Sequence, residues 1–206
     1  MKRMTLAAIA IVGLAGATAQ TAFASDNGWY VFGEVGQAIN NNKSKLDNAL
    51  TSLGYTGFAS SENNVAVYNL NAGYQFNKNF ALEGGYIASS HQNYSASGGN
   101  LPGTVTDSAS VTGFDLSAVG ILPLTGQFSL LGKLGVADMQ NSATVTVAGL
   151  PSSSSASKTD LTYGLGAKYD FTDAVSMRLD WNSYNIGNST SSTRYNVLGV
   201  GVGYKF

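Results

Sequence analysis

Cysteine is absent from this 206-residue chain, histidine occurs once, and only 11% of the residues are charged. Without cysteine there is no disulfide framework, so stability has to come from elsewhere. A single histidine leaves little room for catalytic or metal chemistry built on imidazole. An average soluble domain is about 25% charged; here Gly, Ser, Asn, Thr and Tyr fill that share. After residue 24 no stretch approaches 18 consecutive apolar residues, so the sequence holds no membrane-spanning helix. A basic surface is missing too, which argues against nucleic acid as a partner.

What is present begins with an export signal. Lys2 and Arg3 precede the apolar run Leu6–Ala17, and Ala22-Phe23-Ala24 is an A-x-A site with cleavage expected before Ser25. The run is short for a spanning helix, which needs roughly 20 apolar residues. Residues 1–24 are therefore expected to be a cleaved signal peptide, and residues 25–206 a single domain. Removal of the signal takes away two bases and no acid, leaving the 12 Asp and Glu in excess.

The last nine residues, Leu198-Gly-Val-Gly-Val-Gly-Tyr-Lys-Phe206, show the pattern most clearly. In an extended strand Leu198, Val200, Val202, Tyr204 and Phe206 share one face, while Gly199, Gly201, Gly203 and Lys205 share the other. A wholly apolar face ending in aromatics, opposite a small or polar face, is what a strand between lipid and a lumen requires. Seven further segments alternate alike: Gly28–Ala38, Val65–Phe76, Asn79–Ser89, Ser110–Pro123, Gln127–Asp138, Thr159–Phe171 and Ala174–Ile186, before Arg194–Phe206. Tilted membrane strands need about 9–11 residues. An open sheet edge finds no hydrogen bonds in lipid, so the sheet must close. The expected fold is all-β, an eight-stranded antiparallel transmembrane β-barrel.

The connections alternate in length. Asn77-Lys78, Leu124-Thr125-Gly126 and Thr172-Asp173 are tight turns; residues 39–64, 90–109, 139–158 and 187–193 are long, polar and rich in Ser, Asn and Gly. Short turns on one side and long loops on the other match the periplasmic and extracellular ends of such barrels. Both termini are then expected in the periplasm. Within the first loop, Leu46, Ala49, Leu50 and Leu53 before Gly54 suit a short amphipathic helix. Trp29, Tyr74, Phe76, Tyr169, Phe171, Tyr204 and Phe206 are expected to form an aromatic girdle. Leu70, Leu130, Leu165 and Val202 sit mid-strand on the lipid face.

The strand pattern resembles the transmembrane domain of outer membrane protein A (OmpA) and the wider family of small outer-membrane barrels. The resemblance spans the mature chain. It is carried by Trp29-Tyr30, Gly73-Tyr74-Gln75-Phe76, Leu82-Glu83-Gly84-Gly85-Tyr86, Leu122-Pro123-Leu124-Thr125, Lys133-Leu134-Gly135, Arg178-Leu179-Asp180 and Asn185-Ile186-Gly187. It implies a Gram-negative outer-membrane location in contact with lipid and lipopolysaccharide. The terminal strand ending at Phe206 resembles the segment that the barrel-assembly machinery receives. By position, Glu83, Lys133, Arg178 and Asp180 match inward charges of the family that pair in a water-poor lumen. Glu34 and Lys168 stand where OmpA carries the opposite signs, and Val119 replaces a lysine linked to gating. With Asp115 these make an expected lumen network of Glu34, Glu83, Asp115, Lys133, Lys168, Arg178 and Asp180. Asp170 is expected at the wet rim. Glu83 with Arg178 is the favoured pair, and the joint sign reversal suggests Glu34 with Lys168. OmpA continues into a peptidoglycan-binding domain; the chain ends at Phe206, so that anchoring is not expected.

Some barrels of this size modify lipid A using a His with Ser and an acid. The one histidine, His91, lies beside Ser89 and Ser90, but no acid lies between Glu83 and Asp107 to orient it. No His/Asp/Glu cluster has metal-ligand spacing. Gly199-x-Gly201-x-Gly203 is followed by no helix, so it is not a dinucleotide loop. No catalytic residue, metal or cofactor is expected. The leading expectation is a non-enzymatic barrel that presents its extracellular loops to a ligand. The alternatives are a narrow passive channel and a lipid A-modifying enzyme.

Overall fold

The computed structural model describes residues 27–39, 57–60, 65–97, 104–147, 150–187 and 192–206. They form β1 (Gly28–Ile39), β2 (Gly57–Ser60), β3 (Val65–Asn77), β4 (Phe80–Ser89), β5 (Gln92–Ser97), β6 (Thr104–Pro123), β7 (Phe128–Val147), β8 (Leu150–Asp170), β9 (Val175–Gly187) and β10 (Ser192–Lys205). Antiparallel pairing runs β6-β4-β3-β1-β10-β9-β8-β7, and a further β6–β7 pairing closes the ring. Eight strands thus make the barrel. β5 pairs with the first residues of β6, and β2 pairs with β5. The seam is tight: Tyr30 faces Lys205, and the Phe206 amide donates to the Trp29 carbonyl at 2.9 Å.

Period-two alternation sets the two faces. Leu70, Leu130, Leu165 and Val202 are exposed on the outside, Leu165 by 65%. Their chain neighbours turn into the barrel. At one end three hairpins close by the same device. The Asn77 Oδ1 accepts from the amides of Asn79 and Phe80 at 2.8 and 3.0 Å. Thr125 and Thr172 hydroxyl oxygens likewise accept from the amides of Phe128 (3.0 Å) and Val175 (2.9 Å). Asn and Thr favour such turns because a short polar side chain can hold the backbone two or three residues on.

The other end is different from the sequence expectation. Residues 90–109 and 139–158 are not mostly loop. β6, β7 and β8 run for 20, 20 and 21 residues, about twice what crosses a bilayer. β6 and β7 stay paired from Pro123↔Ser129 up to Val105↔Val147, and β7 and β8 from Phe128↔Tyr169 up to Val147↔Leu150. The sheet therefore continues past the barrel as a protruding wall of β2, β5, β6, β7 and β8. Polar Ser and Thr stretches read as loop because no wholly apolar face runs through them, yet the ladder holds them. The helix expected around Leu46–Leu53 lies outside the described residues. No helix among those residues is long and apolar enough to cross a membrane.

Candidate functional site

Two features can do something chemically: the filled lumen and the protruding wall. The lumen is layered along its axis. Near the long-strand end, Ala38, Val65, Val67, Ile87, Val111, Ala137, Met139, Tyr184, Tyr195 and Val197 form a buried apolar cluster, with Ile186 packed on it. Below it lies a charged centre. Arg178 of β9 holds Glu83 of β4 at 2.5 Å and Asp180 at 2.8 Å. Lys133 of β7 holds Glu83 at 2.7 Å and Asp180 at 3.5 Å. Two acids and two bases thus alternate in a ring, all nearly excluded from solvent, and the attraction is strong enough to hold because each charge meets two of opposite sign. Tyr30 donates its hydroxyl to Glu83 at 2.7 Å, and the Arg178 guanidinium lies 4.3 Å over the Phe32 ring.

The remaining expected lumen residues are placed differently. Glu34 is buried but outside the ring; its carboxylate leans over Gly199, where a Cβ would overlap it, and neither oxygen has a hydrogen-bond partner in the structure. The pair of Glu34 with Lys168 does not form. Lys168 is nearer the turn end and binds Asp170 at 3.0 Å, two residues along its own strand. A local partner at the wet rim costs less desolvation than one deep in the lumen. Asp115 accepts from the Ser117 hydroxyl at 3.1 Å and reaches over Gly85. Val119 is buried with Ala81 and Leu131 in a smaller apolar cluster. Phe32, Tyr184 and Tyr195 are lumen residues that the sequence reading did not single out. Their inward parity was the available signal; their apolar character pointed the other way.

Below the ring, a cavity of about 470 Å³ opens at the turn end. Its floor includes Arg178, Glu83, Tyr30 and Phe32. The girdle residues are outside, all exposed but the half-buried Tyr74: Trp29 packs edge-on to Tyr74, Tyr74 to Phe76, Tyr169 to Phe171 and Tyr204 to Phe206, each near 5.2 Å or less. At the long end Tyr86 packs on Phe114 and Tyr163 on Trp181. Arg194 lies over the Tyr163 ring and donates to its hydroxyl. His91 is exposed where β4 gives way to β5. Among the described residues no group of three or more His, Asp or Glu is placed to hold a metal ion.

Among the described residues the wall ends on β2 at one side and on β8 at the other. β8 pairs with β9 only from Tyr163↔Ser183 to Asp170↔Ser176. Above that, residues 150–162 make no backbone ladder with β9, though the Thr162 hydroxyl donates to the Ser183 carbonyl at 3.0 Å. Lys158 and Asp160 pair there at 2.7 Å.

A family model described as outer membrane protein beta-barrel domain matches residues 5–206. No curated protein sequence matches the chain. Among solved structures, Neisserial surface protein A (NspA) is similar at 18% identity and a TM-score of 0.53, covering 86% of this chain and 97% of its own. The attachment invasion locus protein Ail of Yersinia pestis, solved in complex with the heparin analogue sucrose octasulfate, is similar at 16% identity and a TM-score of 0.51, covering 87% and 99%. The N-terminal β-barrel domain of Pseudomonas aeruginosa OprF gives 16% identity and a TM-score of 0.50, covering 87% and 98%. At such identities the likeness is one of fold.

Proposed function

The chain belongs to the outer membrane protein beta-barrel domain family, and from that premise we propose that it is a non-enzymatic surface barrel whose task is to hold the protruding wall outside the cell as an interaction surface. The barrel sits in the outer membrane, in contact with its lipid. The observation that carries the reading is strand length. β6, β7 and β8 have about 10 residues more than a crossing needs, and the excess is ordered sheet on one side only. A barrel serving merely as a membrane plug gains nothing from that extension.

The orientation follows from the same asymmetry, with tight turns and both termini in the periplasm and the wall outside. Residues 1–24 are then the export signal, and the strand ending at Phe206 is the part the barrel-assembly machinery receives. A passive channel is disfavoured, because an apolar cluster and an ion-pair ring both occupy the lumen. An enzyme of the His/Ser/acid kind is disfavoured because His91 is exposed, away from any described triad. The open edge of β8 and its Ser-rich run offer backbone groups and hydroxyls to a partner. Ail takes a sulfated, polyanionic ligand. Here Lys158 is paired with Asp160 and Arg194 is held by Tyr163, so the described part of the wall has no cation cluster to recommend a polyanion.

The test compares cells carrying the full chain with cells carrying a barrel whose residues 141–156 are replaced by a tight turn. Both are applied to arrays of host proteins and glycans. Folding is checked by the change in gel migration on heating. Identical binding profiles from equally folded barrels would remove the wall from the function. Stable unitary currents from the full chain in planar bilayers would replace this reading with the channel.

A further inference from the structure

The two faces of the protruding wall differ in a way that surface interaction at its edge does not explain. The face that continues the lipid-exposed side of the barrel carries Thr106, Ser108, Ser110 and Thr112 on β6, Gln140, Ser142, Thr144 and Thr146 on β7, and Ser153, Ser155, Ser157 and Thr159 on β8. The register aligns them in rows: Thr112 with Gln140 and Ser157, Ser110 with Ser142 and Ser155, Ser108 with Thr144 and Ser153. Thr144 and Ser153 are hydrogen-bonded across their row at 3.0 Å. Above the boundary row of Phe114, Asp138 and Thr159 the described residues of β6, β7 and β8 put no charge and no aromatic ring on this face. Asp107, Lys158 and Asp160, by parity, belong to the opposite face.

A sheet projecting into water normally carries charges on its solvent face, and a long uncharged one is a hazard for association. This face is placed otherwise. It starts one row above Phe114 and two rows above Leu161, which are 67% and 62% exposed toward lipid. Rows lie about 6.7 Å apart along the strands and hydroxyls about 4.8 Å apart across them, so the patch rises for about 20 Å along the strands. Whatever lipid packs against the apolar belt must bring its polar layer against these rows. A phosphate layer would call for Arg and Lys. The outward Arg at this end, Arg194, is on β10 and is engaged with Tyr163 of β8, below the patch. Hydroxyls that both donate and accept suit another hydroxyl-rich layer.

We propose that the outward hydroxyl face of β6, β7 and β8 is a contact surface for the core sugars of the lipopolysaccharide packed around the barrel. The proposal rests on the orientation given above, with the wall outside. It gives the two faces separate tasks. The outer one seats the barrel in the saccharide layer, and the inner face and open edge are left for other partners.

Two experiments separate the orientation from the contact. Ser154→Cys, on the inner face of β8, is exposed to a membrane-impermeant maleimide on intact cells. Labelling is expected; labelling only after the outer membrane is permeabilised overturns the orientation, and this proposal with it. Protein with isotope-labelled threonine methyls is then placed in nanodiscs of full-core lipopolysaccharide and of the same lipid lacking core sugars. Nuclear Overhauser contacts from sugar ring protons to Thr106, Thr112, Thr144 and Thr146 are expected with full-core lipid and absent without it. Thr162 in the lumen and Thr125 and Thr172 in the turns should give none in either. Absence of the contacts with full-core lipid, or their persistence without core sugars, overturns the saccharide surface and leaves the surface-barrel reading standing. As a second readout, S110D/S142D/S155D should abolish any rise in melting temperature that full-core lipid gives over core-less lipid. A variant that keeps the whole rise overturns the proposal.

Discussion

The upper and middle lumen close the same barrel by opposite physics. Near the wall, Met139, Ile87, Tyr184, Tyr195 and Val197 pack as an apolar core, with Met139 fully buried. At mid-barrel, Glu83, Lys133, Arg178 and Asp180 form a ring of charges. The apolar layer is held by area removed from water and by close packing. It tolerates small losses because every residue contributes separately. The ring is cooperative, since desolvating four charges is repaid only when each has its partners. A narrow barrel interior is filled by side chains whatever their chemistry, so a polar inward face is required only where water or charge is present.

Breaking the ring should produce the largest effect. Arg178→Ala leaves Glu83 and Asp180 with Lys133 alone, and should destabilise by about 3–5 kcal/mol, as for a broken buried pair. Urea unfolding in lipid vesicles measures it. Glu83→Gln combined with Arg178→Gln should cost less than the two single changes added together. Strict additivity would mean the 2.5 Å contact between them contributes nothing.

Next comes the apolar layer. Met139→Ala should cost about 2–5 kcal/mol, through lost transfer energy and the cavity left behind, and Ile87→Val only about 0.5–1.5 kcal/mol. If Met139→Ala is silent while Arg178→Ala unfolds the barrel, the apolar layer is filler rather than core. The outer face gives the scale for both. Leu165→Arg should cost about 2–4 kcal/mol near the bilayer midplane. A barrel indifferent to arginine there would place the lipid face one residue off.

The currents expected from these variants sharpen the contrast further. Arg178→Ala alone should show no unitary steps in planar bilayers, because the apolar layer still seals the bore. Adding Met139→Ala and Ile87→Ala should admit leakage. Steps from Arg178→Ala by itself would make the ring the only seal. The smallest effect is expected away from the lumen. Replacing residues 141–156 by a tight turn removes ladder pairs above the barrel and leaves the apolar cluster and the ion-pair ring in place, so it should cost less than any of the lumen substitutions above. A loss of several kcal/mol would show that the wall is part of the folding unit.

The number of barrel strands, their facing and the tight turns are legible in the order of residues, because alternation has a period of two and lipid admits only one class of side chain. Val202 and Leu165 could not face inward without exposing the opposite residues to hydrocarbon. Asn77, Thr125 and Thr172 marked their hairpins by their own hydrogen-bonding chemistry. Tertiary structure alone decided how far β6, β7 and β8 run. Beyond the membrane no face of 139–158 has to meet hydrocarbon, so the stretch carries no apolar face ending in aromatics to mark it as a strand, and pairing with neighbouring strands fixes the ladder. It also decided which inward charges meet. Glu83 and Arg178 are 95 residues apart and come together only because ring closure brings β4 and β9 across one lumen. Lys168, whose sign pattern pointed to Glu34, is held at the rim by Asp170 two residues away. Inward parity is written in the chain; height along the axis and the partner across it are properties of the closed barrel.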